Sequence, residues 1–349
     1  MSATWDLPDF DDHEAVHLFR DVESGLSAII AVHSTHLGPA AGGVRFWHYA
    51  DSTRAITDAL RLSRGMSFKN AMAGLPMGGG KAVILADETR TKTSEMLRAF
   101  GRAIDSLGGR YVTAEDVGMT DGDMVVIGSE TDHVSGLPVE IGAAGGDPGP
   151  YTALGVFLGV KAAAKRALGT DSVKDVHVAI QGVGSVGGGL AKLLAAEGAR
   201  LTLADVNADR AKALAAEYGG EAVAPDAILT IEADIVSPCA LGAILDEQSI
   251  TALRCSAVAG GANNQLATPA DGQRIHDRGI LFAPDYVINA GGIINVGLEY
   301  LGQGDQQEVE ARIAKIPERL EQVWQESEET GDPAANVADR IARRLIGRG

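Results

Sequence analysis

The sequence has few cysteines, and their spacing does not suit a disulfide framework or a metal site. Two occur among 349 residues, Cys239 and Cys255, with no CxxC pair. Disulfide-stapled domains and zinc sites need more thiols at closer spacing. The eight histidines form no HExxH pattern, and His33 and His36 lie between a strand pattern and a glycine turn. We therefore expect no metal, and two unpaired thiols suit a reducing compartment.

Long hydrophobic runs are also lacking. The longest covers residues 151–160 and ends at Lys161, well short of the ~20 apolar residues that cross a bilayer. Residues 1–14 are acidic and lack the basic start and apolar stretch of a secretory signal. These features predict a cytoplasmic protein with no membrane partner.

Positive charge is scarce. The chain has 30 Lys and Arg against 47 Asp and Glu, a formal net charge of −17. Nucleic-acid binding needs a basic face, and the one basic cluster lies at the C-terminus, where cations complement a helix dipole. We expect no nucleic-acid partner. The cluster consists of Arg340, Arg343, Arg344 and Arg348.

Glycine, by contrast, is abundant. The chain has 44 glycines, where an average composition of about 7% would give roughly 24. They follow no collagen period, so we expect them in local turns. The densest Gly/Pro stretch is GAAGGDPGP at 142–150, which predicts a domain boundary. Together with the length, it indicates domains at 1–146 and 147–330, with a C-terminal helix at 331–349 that packs on the first.

Apolar periodicity predicts an α/β chain. The first half mixes strands and helices, whereas the second half alternates them, as in a parallel sheet. Strands are expected at 27–33, 82–85, 110–113, 176–180, 201–205, 234–236, 255–259 and 280–282. Helices are expected at 55–64, 95–107, 152–168, 188–199, 309–323 and 337–345.

The turn after the strand at 176–180 has the pattern of a dinucleotide site. Gly182-x-Gly184-x-x-Gly187 follows an apolar strand and opens a helix, and Asp205 ends the next strand. The first glycine permits a tight turn, the second admits a pyrophosphate, and the third lets helix and strand pack closely. Asp205 would accept from ribose hydroxyls and repel a 2′-phosphate, which favours NAD over NADP, although Arg210 lies five residues on. The alternative is a glycine turn with no ligand.

Two lysines accompany another glycine cluster. Lys81 follows Gly78-Gly79-Gly80 at the end of what we interpret as a turn, and Lys69 lies twelve residues earlier. A phosphate-binding P-loop needs GxxxxGK[ST], but Ala82 follows Lys81, so that interpretation fails. The residue types alone leave both lysines open to an ordinary role on the surface.

Seven segments, in order from about residue 27 to 300, resemble the Glu/Leu/Phe/Val amino-acid dehydrogenase superfamily, and within it they are most similar to leucine dehydrogenases. The resemblance implies an N-terminal α/β domain for substrate binding and oligomerisation, a Rossmann-type doubly wound NAD-binding domain, a cleft between them, and a homo-oligomer. The segments are 38–45, 64–81 (RGMSFKNAMAGLPMGGGK), 111–120 (YVTAEDVGMT), 181–187, 237–242 (SPCALG), 258–266 (VAGGANNQL) and 283–296 (APDYVINAGGIINV).

The resemblance implies NAD-dependent oxidative deamination of an L-amino acid to a 2-oxo acid and ammonia. Lys81 would be the general base and Asp116 the proton shuttle, while Lys69 would bind the substrate carboxylate. A lysine is too basic at its reference pKa of about 10.4, so we expect burial and the like charge of Lys69 to lower the pKa of Lys81. The other residues implied to hold the substrate are Gly42, Gly43, Met66, Gly78, Asn263 and Asn289.

The resemblance also implies an apolar side-chain pocket. Glutamate dehydrogenases carry a lysine immediately before the GG pair at 42–43, where this chain has Ala41, so a distal carboxylate would find no cation there. Ala41 is smaller than the leucine usual in leucine dehydrogenases and opens the pocket. We expect leucine, valine and isoleucine to be preferred, with aromatic amino acids next. The implied lining residues are Ala41, Ala114, Ile293 and Val296.

For the cofactor, the resemblance implies contacts from the glycine turn and from two further strand ends, with the Cys239 thiol serving only as packing. Two other functions stay open: an NAD-binding regulator without catalysis, and a hydroxy-acid dehydrogenase of malic type. The implied NAD contacts are Gly182, Val183, Gly184, Ser185, Val186, Gly187, Asp205, Val206, Cys239, Ala240, Leu241 and Asn263.

Overall fold

The computed structural model describes residues 4–7, 9–89, 91–137 and 144–349, and the chain divides into two units. Unit 1 comprises Met1–Asp147, Ile293–Val309 and Ala342–Gly349, and unit 2 comprises Pro148–Gly292 and Glu310–Ile341. Residues 142–143 of the expected linker lie outside the described residues. Residues 293–309 were expected in the cofactor domain, whereas the structure groups them with unit 1.

Side-chain bonds account for this grouping. Asn295 bonds through both amide atoms to the backbone of Gly145, each at 2.8 Å. The Glu299 carboxylate accepts from the backbone N–H groups of Gly136 and Leu137. Two side chains one helical turn apart therefore attach this segment to unit 1.

Unit 1 contains a mixed sheet of six strands. Its order is β1-β2-β5-β3-β6, and β4 also pairs with β5. The first three strands in this order are antiparallel, whereas β3 and β4 run parallel to β5 and β6 runs parallel to β3. The strands are β1 (Ala15–Asp21), β2 (Leu26–Ser34), β3 (Ala40–Ala41), β4 (Val44–Trp47), β5 (Gly78–Leu85) and β6 (Tyr111–Val112).

Alternation along the strands gives the sheet two apolar faces. On β2, Ile29 and Ala31 join one cluster with helix residues Ala59 and Leu60. Residues of the opposite parity, such as Ile30, join the other cluster. The helices of unit 1 before the boundary are α1 (Ser52–Ala73), α2 (Ser94–Asp105) and α3 (Asp121–Gly128).

Helix α1 lies against β2 and β5 and is longer than the sequence indicated. The Asp51 side chain caps its start by accepting from the Arg54 N–H at 2.9 Å, and Gly74 ends it with a left-handed φ of 67°. The prediction of a helix ending at residue 64 was wrong. After residue 64, polar residues interrupt the apolar periodicity from which the helix was predicted. Two of them, Ser67 and Asn70, are nevertheless fully buried.

Unit 2 contains a parallel sheet of six strands. Its order is β12-β11-β10-β7-β8-β9, and every pair is parallel. Strand order reverses between β7 and β10, the switch point at which doubly wound sheets bind dinucleotides. The strands are β7 (His177–Gln181), β8 (Arg200–Ala204), β9 (Glu221–Ala222), β10 (Ile235–Pro238), β11 (Ala257–Val258) and β12 (Leu281–Phe282).

Helices connect these strands and continue to the C-terminus. All the helices predicted after residue 150 are present, with shifted ends, and the apolar period at 309–323 is divided between two helices. They are α4 (Gly149–Leu168), α5 (Ser185–Ala196), α6 (Ala208–Tyr218), α7 (Glu247–Ala252), α8 (Pro269–Asp277), α9 (Asp285–Ile288), α10 (Gly291–Tyr300), α11 (Gln306–Ile313), α12 (Ile316–Thr330) and α13 (Ala334–Leu345). Over the residues that the structure describes, no helix has the length and apolar character of a membrane span.

Candidate active site

Lys81 lies inside β5 rather than at the end of a turn. The strand begins at Gly78, so the prediction that it starts at residue 82 was wrong, because packing here overrides the low strand preference of glycine. Lys81 pairs with Ala31 of β2 and therefore shares the sheet face that α1 covers. Its side chain is 7% exposed, which makes it a buried cation that needs a partner.

That partner is Asp116. The Lys81 Nζ lies 2.8 Å from Asp116 Oδ2, and Arg45 Nε lies 3.1 Å from the same oxygen. Burial raises the pKa of Asp116, but the charges of Lys81 and Arg45 outweigh burial and lower that pKa to about 2. Burial lowers the pKa of Lys81, Asp116 opposes this effect, and Arg45 is a nearby cation that adds to it. Lys69 is the cation that the sequence predicts for that role.

The glycines implied to hold the substrate all lie in tight contacts. An added Cβ at Gly43 would stand 2.9 Å from the Asp116 Cβ. At Gly42 it would collide with the Gly80 carbonyl and press on Met66, and at Gly78 it would collide with the Ser34 carbonyl. The structure therefore brings Gly42, Gly43 and Met66 close to the Lys81 strand and Asp116.

Two further side chains hold this backbone. The Tyr111 hydroxyl donates to the Gly42 carbonyl at 2.5 Å. Asn70 Nδ2 donates to the Gly78 carbonyl at 2.5 Å and to the Ala41 carbonyl at 3.4 Å. Lys69 is on α1 three residues after Met66, so the two share a helix face. Sequence reasoning assigned no role to Tyr111 or Asn70, because each acts through backbone atoms that are distant along the chain.

The residues expected to line a side-chain pocket lie on three elements of unit 1. Ala41 is in β3 and is 4% exposed, and Ala114 follows β6. Ile293 and Val296 are partly exposed, three residues apart on α10, between fully buried neighbours. This helix packs on the segment before β5, because an added Cβ at Gly297 would stand 3.1 Å from Leu75. All four side chains are apolar.

In unit 2, the glycine turn has the geometry of a pyrophosphate site. Gly182 has a φ of 87°, and an added Cβ there would stand 2.6 Å from the Ala240 Cβ. A Cβ at Gly187 would collide with the Gly182 carbonyl, whereas one at Gly184 meets no protein atom within 4 Å. The packing of the chain thus requires the outer glycines but not Gly184. In the dinucleotide-binding motif, the glycine at this position lets the backbone approach a pyrophosphate. Ser185 begins α5, so the helix N-terminus faces the turn.

Asp205 is bound to the glycine turn. Its Oδ2 accepts from the Val183 N–H, and its Oδ1 accepts from the Asn207 N–H and from Arg210, each at 2.8 Å. Burial raises the pKa of Asp205, but these donors lower it overall. A carboxylate has about four acceptor positions, so three used here leave one for a ribose hydroxyl.

Exposed apolar residues mark the same edge of the sheet. In unit 2, the large hydrophobic residues that are well exposed are Val206, at 93%, and Leu241, at 79%. They follow the carboxyl ends of β8 and β10, beside the turn. Between them, Cys239 and Ala240 pack under the glycine turn, and burial raises the pKa of the Cys239 thiol. An added Cβ at Gly261 would stand 2.8 Å from Val186. The loop after β11 therefore also lies beside the glycine turn.

Two asparagines complete this edge. Asn289 is 2% exposed, and its Nδ2 donates to the Gly261 carbonyl at 3.2 Å and to Asn263 Oδ1 at 2.8 Å. A carbonyl only accepts, which fixes the amide orientation of Asn289 and then that of Asn263. The exposed Asn263 therefore presents its Nδ2 as a donor away from Asn289.

Comparison with known proteins identifies relatives over nearly the whole chain. A family profile described as Glu/Leu/Phe/Val dehydrogenase, dimerisation domain, matches residues 13–133. A second profile, described as Glutamate/Leucine/Phenylalanine/Valine dehydrogenase, matches residues 202–345.

Individual relatives agree with these profiles. Leucine dehydrogenase of Bacillus subtilis (strain 168) is 48% identical over 97% of this chain and 92% of its own length. Valine dehydrogenase of Streptomyces albus is 47% identical over 96% of this chain and 92% of its own. The crystal structure of L-tryptophan dehydrogenase from Nostoc punctiforme has a TM-score of 0.86 and 40% identity, with 96% of both chains covered.

Proposed function

Since the chain belongs to the Glu/Leu/Phe/Val dehydrogenase family, we propose that it catalyses the reversible oxidative deamination of an apolar L-amino acid with NAD. The products are the 2-oxo acid, ammonia and NADH. The observation that carries the proposal is the buried Lys81–Asp116 pair, 2.8 Å apart, beside the glycine at position 43. Burial lowers the pKa of Lys81, and a general base is most effective when its pKa lies near the working pH.

The residues divide the work as follows. Lys69 and the backbone at Gly42 and Gly78 bind the substrate carboxylate. Bound NAD supplies the acceptor for the α-hydrogen, which leaves as hydride. Neutral Lys81 removes a proton from the water that attacks the resulting imine carbon, and Asp116 carries protons to and from the substrate nitrogen until ammonia leaves.

Cofactor choice depends on Asp205. Its carboxylate retains one acceptor position for a ribose hydroxyl and would repel a 2′-phosphate, which supports NAD over NADP. Asn263 presents its Nδ2 toward ligands as an amide donor, and Asn289 holds it in that orientation. The other contacts proposed for NAD are Val183, Gly184, Ser185, Val186, Val206, Cys239, Ala240 and Leu241.

The substrate side chain is apolar and of branched-chain size. Ala41, Ala114, Ile293 and Val296 carry no charge that could pair with a distal carboxylate. The leucine and valine dehydrogenases among the relatives support branched-chain substrates. The tryptophan dehydrogenase relative and the small side chain of Ala41 favour an aromatic substrate as the second candidate. Discrimination between apolar side chains is modest, at about 1–3 kcal/mol per methylene.

We further propose that the chain works as a homo-oligomer. The dimerisation-domain description of the matching profile supports association through unit 1.

A substrate panel tests the proposal. We expect NADH formation with leucine, valine and isoleucine, slower formation with phenylalanine and tryptophan, and a reverse reaction that requires ammonia. NAD binding without turnover of any of these amino acids would instead identify a silent NAD-binding protein. A reverse reaction that proceeds without ammonia would indicate a hydroxy-acid dehydrogenase. NADP at equal concentration should support turnover at least tenfold less well.

A further inference from the structure

We propose that Arg45 is a positioning residue for the proton chemistry, since it holds the Asp116 carboxylate beside Lys81 and adds a second positive charge to that pair. This inference rests on the proposed function, because it gives Arg45 a task in the step assigned to Lys81 and Asp116. It concerns a residue with no part in the binding of substrate or cofactor described above.

Arg45 joins two carboxylates. Its Nε donates to Asp116 Oδ2 at 3.1 Å, and its Nη1 donates to Asp58 Oδ2 at 2.8 Å. The planar guanidinium fixes the angle between these two bonds, which a lysine could not do. Because Lys81 contacts the same Oδ2 of Asp116, rotation of the carboxylate would disturb both contacts.

Asp58 in turn fixes Arg45. Its Oδ2 also accepts from the Tyr49 hydroxyl at 2.7 Å, and its Oδ1 accepts from Arg61 at 2.9 Å. Asp58 and Arg61 are on α1, and Arg45 pairs with Val83 of β5 across the sheet. The network therefore spans helix, sheet and the loop that carries Asp116, and it sets the carboxylate in relation to all three.

The charges also decide how strongly Lys81 holds its proton. Asp116 and Asp58 both raise the pKa of Lys81, and Arg45 opposes them. Arg45 shares the Asp116 carboxylate with Lys81 and the Asp58 carboxylate with Arg61. Without Arg45, one positive charge beside Lys81 would be lost while both carboxylates remained, and the ammonium form of Lys81 would be favoured at the expense of the neutral base. Arg45 thus makes it easier for Lys81 to lose its proton while Asp116 stays ionised.

The charges that act on Lys81 are those of Asp116, Arg45 and Asp58. Substitution of Arg45 leaves in place the other charged or titratable groups on the elements packed against β5. Among these are Asp116 after β6, Tyr111 on β6, Tyr49 after β4, Asp58, Arg61 and Lys69 on α1, and His33 on β2.

Paired substitutions with opposite expected effects test the role. In the wild type, kcat/KM should rise with pH as Lys81 loses its proton. Arg45→Met should move this rise to higher pH and should lower kcat at pH 7 by about tenfold or more. Asp58→Asn removes a carboxylate and should move the same rise to lower pH. Arg45→Lys should restore the position of the rise but not full turnover, because one ammonium cannot bridge both carboxylates at these angles.

The variants are expected to fold. Arg45, Tyr49, Asp58 and Arg61 border an open cavity of about 890 Å³, so shorter or uncharged side chains have room. If the role of Arg45 were purely structural, Arg45→Met and Asp58→Asn would lower the melting temperature and the activity without shifting the pH profile of kcat/KM, or both would shift it in the same direction. Either result overturns the inference.

A second readout keeps the inference separate from the proposed function. The rate at which acetic anhydride acylates Lys81, followed by peptide mass spectrometry across pH, reports its neutral fraction without any turnover. We expect the curve for Arg45→Met to lie at higher pH than the wild-type curve. Coincident curves would contradict the role of Arg45 even in an active enzyme. An inactive wild type with shifted curves would contradict only the proposed function.

Discussion

At the scale of the residue, Lys81 and Asp116 each shift the pKa of the other. The pKa of Asp116 is lowered to about 2 while Lys81 is charged. Once Lys81 gives up its proton, one of the two cations on Oδ2 is gone, and Asp116 becomes a better proton acceptor. Interacting groups titrate with pKa values that belong to the pair. The shuttle proposed for Asp116 therefore follows from the protonation state of Lys81.

Asn289 provides a second test at this scale. Asn289→Asp keeps the size of the side chain but cannot donate to the Gly261 carbonyl or to Asn263 Oδ1, so the Asn263 amide loses its fixed orientation. We expect the KM for the amino acid or NAD to rise by about tenfold, equivalent to ~1.4 kcal/mol, the scale of a lost buried hydrogen bond. Steady-state kinetics measure this change.

The control is a double-mutant cycle. If Asn289 acts through Asn263, then Asn263→Ala and the double variant Asn263→Ala/Asn289→Asp should lose the same amount of activity. Additive losses would show that Asn289 has a separate role.

At the scale of the element, α1, which carries Lys69, lies close against β5, which carries Lys81. The approach is possible because Gly79 has no side chain, since an added Cβ would overlap the Ser67 backbone nitrogen. On the other face, an added Cβ at Gly80 would stand 2.7 Å from the Tyr111 ring. Gly79 thus sets the distance between α1 and β5, and Gly80 makes room for the Tyr111 ring on the other face.

Two glycine substitutions separate this packing from ordinary backbone effects. Gly79→Ala should force α1 away from β5, lower the free energy of unfolding by about 1–3 kcal/mol or more, and reduce activity. Gly65→Ala, in the middle of α1 with no atom within 4 Å of the added Cβ, should stabilise the protein by about 0.5–1 kcal/mol and leave kinetics unchanged. Denaturant unfolding and initial rates measure both. Equal effects of the two substitutions would contradict this account.

Local pattern predicted most of the strands and several of the helices. The short apolar run at 27–33 predicted β2, and the Gly182 turn with its flanking strand and helix matched β7 and α5. The glycines before Lys81 suggested a turn, because their reason for being in a strand lies in Ser67 and Tyr111, which are distant in sequence. No pattern indicated β1 or β4, where polar and charged residues interrupt short apolar runs.

The site shows the same limit. Motifs were sufficient to suggest Lys69, Lys81 and Asp116, because each lies in a segment with a recognisable order of residues. Arg45 and Asp58 are 13 residues apart on different elements, and nothing in their spacing indicates that they meet. Contacts of this kind depend on tertiary packing, which local sequence patterns do not show.

At the scale of the whole molecule, the net charge does not describe the surroundings of Asp116. The chain carries a net charge of −17, yet the Asp116 carboxylate lies 2.8 Å from Lys81 and 3.1 Å from Arg45. Cations and carboxylates are paired there, so the excess of negative charge lies elsewhere in the chain.

Only residues 342–349 of the C-terminal segment expected on the first domain belong to unit 1, whereas residues 331–341 belong to unit 2. Arginines attach the last residues to unit 1. Arg343 pairs with Asp11 at 2.9 Å. Arg348 donates to the Asp11 and Asp12 carbonyls and to the carbonyl and ring of His33. Burial, followed by the charge of Arg348, lowers the pKa of His33 to about 3, so this ring stays neutral at physiological pH and can accept from the arginine.

The most direct test of the central claim is the rate of NADH formation by Lys81→Ala at saturating leucine, with NAD binding measured by calorimetry on the same sample. Loss of the general base should reduce turnover by about 10²–10⁴-fold, with NAD affinity within a factor of about two of the wild type because the cofactor turn is in unit 2. Retention of NAD binding confirms that the variant is folded. Turnover close to the wild-type rate would contradict the assignment of Lys81 as the base.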